Sequence, residues 1–398
     1  MIPKIDSQIG ISVYSTDFAG IGGKIKTSPE GFEVDEVISD KSLGQIKEKG
    51  DYAVYQLTKK NIDTNHAVSD IFKKKGIRLK ALGLKDSFAV TTQFLCANNK
   101  GHAIDDYSSA KYSLKKLGYV NKPLTKKNMI GNHFKIKITG GKDSIQEFHE
   151  QNKILNFYGY QRFGSKRPVT HLIGKAMLQR NFEKAIEFIL SFTSPYDSKE
   201  NNDIREKLQD SANYAKYLDQ IPPQMDIEKI VLKEMIDSGD SQLSVKKIPL
   251  SLRRFYIQAY QSYLFNCTLS SSFEGGERLF ESQEGDVCFD SKDKLGKYVK
   301  GGEQRLSIPF VGYSYYKKTR FDYYISKILK LEEISPKDFF IKEMQEISNE
   351  GGFRQAAVGI SNYSSNHDMV DFTLTRGSFA TIVLREIMKP EDPLNAGF

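Results

Sequence analysis

Lys85 and Asp86 stand side by side in ALGLKDSFAVTTQFLCA, residues 81–97, a run that is otherwise mostly apolar and β-branched. Leu82, Leu84, Phe88 and Val90 favour leaving water, while a lysine and a carboxylate beside them need partners if they follow. From residue chemistry alone, Lys-Asp-Ser is first of all a turn, because aspartate bonds to its own backbone. The apolar flank adds another reading. A carboxylate against a hydrophobic wall, with one cation nearby, stays ionised yet poorly solvated, which suits a nucleophile or a base. A second run, NFYGYQRFGSKRP (residues 156–168), interleaves aromatic rings with Asn156, Gln161, Arg162, Lys166 and Arg167. The plain reading is a surface loop whose rings anchor in the core. The functional reading is an RNA contact, with rings for stacking, amides for base edges and cations for phosphates.

Other short signals carry less. GIGGK, residues 20–24, is too short for a phosphate loop and lacks the Lys-Ser/Thr ending. GGKDS and GGEQR read as hairpin turns.

The elements that must position these residues follow from hydrophobic periodicity. GGKIKTSPEGFEVDEVI reads as strand, Ser28-Pro29 turn and strand, with Phe32, Val34 and Glu36 on one side. DYAVYQLTKK is a further strand. DTNHAVSDIFKKKGI turns helical: Asp63 or Thr64 caps it, Ala67, Val68, Ile71 and Phe72 form its stripe, and Gly76 ends it. GNHFKIKITGG alternates, with Phe134, Ile136 and Ile138 inward and Lys135 and Lys137 outward. Strands and helices mix without strict βαβ order, which predicts an α+β fold. In the middle, GKAMLQRNFEKAIEFILSF predicts one helix and LRRFYIQAYQSYLFNCTLSS a long one, with a polar helix-and-loop stretch between them. The Gly- and charge-rich run from Glu274 predicts short strands with turns. MVDFTLTRGSFATIVLREIMKP predicts a strand, a turn at Arg376-Gly377, and a helix or strand from Ala380. The best boundaries lie near Gly164–Pro168 and Gly351-Gly352, and no short-period repeat is present.

With 398 residues the chain can bury a large core in two or three domains. Lys and Arg total 58 against 50 Asp and Glu, a net charge of +8 that favours a polyanionic partner, nucleic acid first. Tyr and Phe, at 21 and 25, supply flat rings; most will be core, and a few could stack on bases. No apolar run reaches the ~18 residues of a membrane span, and MIPKIDSQIG lacks the apolar centre of a secretory signal. Cys96, Cys267 and Cys288 are far apart, which predicts a reducing, cytoplasmic setting without disulfides. Zinc spacings are absent, so no metal is expected.

GLKDSFAVTTQ resembles the signature of the TruD family of tRNA pseudouridine synthases, close to G-x-K-D-x-x-A-V-T-x-Q. Further elements resemble the family in the family's order. IKTSPEGFEVDE is similar to K-x-x-P-E-D-F-x-V-x-E, GNHF to G-N-x-F, and NFYGYQRFG to N-Y-F-G-x-Q-R-F-G; QAYQSYLFN and GSFATIVLRE are similar to later elements. The match runs from about residue 22 to 389, and the middle is more similar to the archaeal and eukaryotic branch than to the short bacterial one. The resemblance implies a pseudouridine-synthase fold, a mixed and largely antiparallel sheet with helices, from residues 1–168 and 346–398. An α+β TRUD domain, residues 169–345, would be inserted and form the other wall of a basic cleft. It implies a monomeric, cofactor-free isomerase acting on tRNA, at position thirteen by family analogy. Asp86 matches the essential aspartate, as nucleophile at C1′ or base at the 2′ carbon. Lys26, Glu36 and Lys85 match or adjoin residues near it. Phe32 and Phe379 match pocket aromatics, Asn156 a holder of the uracil edge and Tyr158 the stacking ring. Gln161 and Arg162 fall in the same motif as RNA contacts, with Lys166 and Arg167 as further phosphate contacts. Two departures stand out: Gly31 replaces the family Asp, and Tyr158 brings a hydroxyl where the family has Phe. A non-catalytic RNA binder gives no reason to keep Asp86, and a nucleoside hydrolase would usually need a metal or paired carboxylates.

Overall fold

Alternating strands from the two ends of the chain are drawn into one sheet, and a helical middle section packs beside it. The computed structural model describes residues 1–85, 87–99, 103–149, 153–315 and 317–398. In chain order the strands are β1 (Phe32–Ile38), β2 (Tyr52–Lys60), β3 (Lys80–Ala81), β4 (Val90–Asn98), β5 (Tyr107–Ser108), β6 (Tyr112–Val120) and β7 (Met129–Lys137). Then come β8 (Val287–Phe289), β9 (Leu295–Lys297), β10 (Arg305–Phe310), β11 (Gly352–Gln355), β12 (Ile360–Asn366) and β13 (Met369–Thr375). A nine-stranded sheet runs β12-β13-β7-β1-β4-β2-β6-β5, with β3 on β4. Only its β1–β4 pairing is parallel among the described strands, so the sheet is mixed and largely antiparallel and the fold is α+β.

The register places apolar side chains opposite one another at the centre. Val34 of β1 and Phe372 of β13 flank Phe134 of β7, whose ring lies 5.6 Å from Phe372 and 6.5 Å from Phe32. Phe134, Ile136 and Ile138 are buried and Lys135 and Lys137 exposed, as the alternation predicts. The Thr64–Lys75 helix covers part of the sheet; Asp63 caps it and Gly76 ends it in the left-handed region at φ 71°. Phe72, expected in the apolar stripe, is instead exposed beneath the Arg78 guanidinium, 5.4 Å from its ring centroid, because the stripe rotates off the sheet in the last turn.

The single helix expected over residues 174–192 is two helices, Thr170–Leu178 and Phe182–Ser191. Arg180 breaks it at φ 59°, and the Asn181 side chain caps the next helix by accepting from Lys184 N–H at 3.0 Å. The Leu250–Glu274 helix is buried on several sides and crosses Thr170–Leu178 closely; a methyl on Gly174 would strike the Tyr256 carbonyl. Its polar residues tie it to the chain ends. Ser270 donates to the Gly10 carbonyl at 3.0 Å and Asn266 to the Ile9 carbonyl at 2.9 Å. One apolar core therefore runs from Ile5 through this helix to Phe398. A smaller sheet, β11-β10-β8-β9, pairs β10 with β11, and the chain rejoins the large sheet at β12. No helix among the described residues is long and apolar enough to cross a membrane.

Candidate active site and RNA-binding groove

The turn between β3 and β4 is fastened from several sides. The Lys85 backbone N–H donates to Thr64 Oγ1 at 3.0 Å, and Thr64 donates in turn to Gln93 Oε1 at 2.9 Å. Gln93 donates to the Gly83 carbonyl at 3.0 Å, and Lys59 Nζ reaches the Lys85 carbonyl at 3.4 Å. Asp86 lies outside the described residues. The Lys85 side chain is buried; its Nζ hydrogen-bonds Asn132 Oδ1 and sits 3.6 Å from Glu36 Oε1. Glu36 is buried on β1, and its Oε2 accepts from the Phe94 N–H at 2.9 Å. Burial raises the Glu36 carboxyl above its ordinary range, and Lys85 pulls it back in part. The apolar flank is less sheltered than its composition suggests. Leu82 is buried, but Leu84 is 70% and Phe88 47% exposed, because the chain carries Phe88 to the rim of one opening and Leu84 to the rim of another.

That opening is a cavity of about 250 Å³ lined by Lys26, Phe32, Lys85, Gln161 and Phe379, together with Phe134, Asn132 and others. Residues distant in sequence thus meet as the motif reading expects. Lys26 sits in the left-handed region at φ 55°, with its Nζ 4.9 Å from the Phe32 ring centroid. Gln161 accepts from Thr381 at 3.2 Å, which joins the Tyr160–Arg162 turn to the Ala380–Met388 helix. Glycine is required at 159, where a methyl would lie 2.7 Å from Thr381 Oγ1. Lys26 and Gln161 also line a neighbouring cavity of about 520 Å³ with Ser87, Phe88 and Lys166.

Asn156 and Tyr158 face a different space, a cavity of about 830 Å³ between the two sheets. The Asn156 amide donates to the Gln355 carbonyl at 3.1 Å, and its Oδ1 accepts from Arg354 at 2.8 Å. Tyr158 is pinned by Asn266, which accepts from its N–H at 2.8 Å and donates to its carbonyl at 3.1 Å. The Tyr158 ring lies 5.9 Å from Phe379, so these two rings form the wall between the smaller and larger cavities. Arg354 rests on the Tyr158 ring at 4.0 Å. Arg162 lies 5.3 Å from Tyr158 and 5.2 Å from Phe255, and burial lowers its pKa. Arg167, expected at a phosphate, instead donates to the Ile189 carbonyl at 2.8 Å and pairs with Glu228 at 3.2 Å inside the helical section. Reading the sequence overlooked Arg354, Asn266 and Asn132. The last two lie in QAYQSYLFN and GNHF; Arg354 carried no motif signal beyond its place after Gly351-Gly352. No group of three or more potential metal ligands occurs among the described residues.

The described arrangement can hold a flat, polar base beside cations in a half-closed pocket. The model of the family tRNA pseudouridine synthase D (TruD) matches residues 8–387. A probable tRNA pseudouridine synthase D of Saccharolobus solfataricus is 34% identical over 400 residues, covering 97% of each chain. One of Methanosarcina mazei is 30% identical over 437 residues, covering 98% of each. The crystal structure of the putative tRNA pseudouridine synthase D (TruD) from Methanosarcina mazei superposes with a TM-score of 0.79 at 28% identity, covering 99% of each chain.

Proposed function

The chain belongs to the tRNA pseudouridine synthase D family, and on that premise we propose that it isomerises uridine to pseudouridine in tRNA with Asp86 acting at the sugar. The observation that carries the reading is the convergence of Lys26, Phe32, Lys85, Gln161 and Phe379 on one cavity, with Lys85 next to Asp86 in sequence. The reaction breaks the N1–C1′ bond, turns the uracil and joins C5 to C1′. N1 gains a proton and C5 loses one, so atoms and electrons balance without a redox partner or cofactor. Asp86 acts either as nucleophile at C1′ or as base at the 2′ carbon.

The target nucleotide must leave its stack, at a cost of a few kcal/mol. Phe32 and Phe379 offer the ring contacts that offset it, and Gln161 an amide for a base edge. Tyr158 acts through Phe379, against which it packs. Glu36 and Asn132 hold the Lys85 ammonium in place. Lys26, Arg162 and Lys166 suit the sugar-phosphate backbone; each such contact is modest and salt-dependent. Asn156, with its amide engaged by Gln355 and Arg354, positions the Arg354 guanidinium. Residues 1–168 and 346–398 form the catalytic domain and 169–345 the inserted one, with tRNA between them. We place the target at position thirteen and the enzyme in the cytoplasm as a monomer that needs no metal.

The test is tritium release from [5-³H]uridine in transcribed tRNA, without added metal or nucleotide. Release of one equivalent per tRNA, with pseudouridine mapped at position thirteen, is expected. No release from a transcript that binds would overturn the assignment.

A further inference from the structure

We infer that the 830 Å³ cavity is a second nucleotide pocket, which takes the base of a residue flanking the target uridine and seats its phosphate against Arg354. The inference rests on the isomerase reading and adds to it a site that reads RNA context. The cavity lies within the roughly 300–1,000 Å³ range of ligand pockets. It abuts the catalytic cavity through the Tyr158–Phe379 contact, so a strand with its target beside Phe379 has a neighbour at this wall.

Charge argues for the occupant. Lys127, Lys292, Arg305, Arg354 and Arg376 line the space. Its one lining carboxylate, Asp293, is paired with Arg305 at 2.6 Å. Arg354 is the centre of the argument. Its guanidinium is held by neutral acceptors alone among the described residues: the Asn156 carbonyl at 3.2 Å, Asn156 Oδ1 at 2.8 Å and the Gly377 carbonyl at 2.9 Å. Burial lowers its pKa, since a desolvated cation without a carboxylate is disfavoured. Nε and Nη2 are spent on these acceptors, so Nη1 is left to meet one phosphate oxygen in a charge-assisted bond.

Rings argue for the base. Phe289, Phe310 and Phe353 line the same cavity beside Tyr158, and aromatic platforms interleaved with cations are how single strands are held. The Gln355 side-chain amide also lines it and makes no hydrogen bond among the described residues, leaving a donor and an acceptor for a base edge. An acidic protein segment would match the cations but would leave the rings and this amide without a purpose.

The experiment compares tritium release from intact tRNA transcript with release from transcripts made abasic at the nucleotide before or after the target. Wild-type enzyme should show KM raised about tenfold or more for one abasic transcript, in line with a stacked base. Gln355→Ala, checked for folding by circular dichroism, should raise KM on intact transcript while leaving the KM for that abasic transcript unchanged, whereas Lys292→Ala should raise KM on all three, since an abasic nucleotide keeps its phosphate. Equal wild-type KM on all three transcripts, a Gln355→Ala variant that loses equally on all of them, or a Lys292→Ala variant without effect on any would overturn the second pocket while intact transcript still reacts. No wild-type release from intact transcript would instead overturn the isomerase reading itself.

Discussion

Substituting Asp6 by alanine tests how the site is braced from behind. Asp6 and Arg385 are wholly buried and 2.6 Å apart, and Arg385 also meets Glu386 at 3.1 Å. The Tyr160 hydroxyl donates to Asp6 at 2.7 Å; burial and then Asp6 raise its pKa well above the ordinary tyrosine range, which keeps the donor protonated. Glu386 is committed elsewhere, accepting from the Ser15 and Thr16 backbone N–H groups at 2.9 and 3.1 Å. Alanine therefore leaves Arg385 short of a partner and the Tyr160 hydroxyl with none. Breaking a buried pair from one side costs about 3–5 kcal/mol, and the remaining Glu386 places this case near the lower end. With a urea slope of about 3 kcal/mol per molar, the unfolding midpoint should fall by about 1 M. The consequence for catalysis is specific. Tyr160 begins the turn that carries Gln161, and Arg385 belongs to the helix that starts after Phe379, so both walls of the 250 Å³ cavity loosen together. Turnover measured in mild conditions should drop about tenfold or more while tRNA affinity changes less. A midpoint unchanged within about 0.2 M would refute the bracing argument, and so would full turnover in a clearly destabilised variant.

Asn266→Ala removes three hydrogen bonds, a buried one to the Ile9 carbonyl and two part-buried ones to the Tyr158 backbone; it should lower stability by about 2–3 kcal/mol and reduce turnover, read by urea titration and tritium release, and a neutral variant would contradict the pinning of Tyr158. Glu36 gives a pH signature: its carboxyl is raised above the ordinary 4.5 in the folded chain, by burial first, so the folded state holds that proton more tightly than the unfolded state. Its contribution is full below 4.5 and is lost as pH rises through the folded value; Glu36→Gln should remove that fall from the pH profile of urea midpoints, and parallel profiles for the two proteins would count against it.

The sheet was legible where alternation is strict. Phe134, Ile136 and Ile138 declare their face, and the partners Val34 and Phe372 follow once the strands align. The Thr64–Lys75 helix announced both ends through Asp63 and Gly76. Arg180 was not legible, because a left-handed residue other than glycine leaves no mark in composition. Motif reading located five of the side chains that line the 250 Å³ cavity, since Lys26, Phe32, Lys85, Gln161 and Phe379 each sit in a recognisable run. Arg354 stayed hidden: its meaning comes from Tyr158 and Asn156, almost two hundred positions away in sequence. Leu84 and Phe88 misled in the other direction, because an apolar side chain at a cavity rim reads in sequence like one in the core.

The most direct test of the account is tritium release by Asp86→Asn at saturating tRNA, with binding measured on the same preparation. The account predicts no release above background and tRNA affinity within about threefold of wild type. Turnover by this variant at a rate near that of the unaltered enzyme would contradict it.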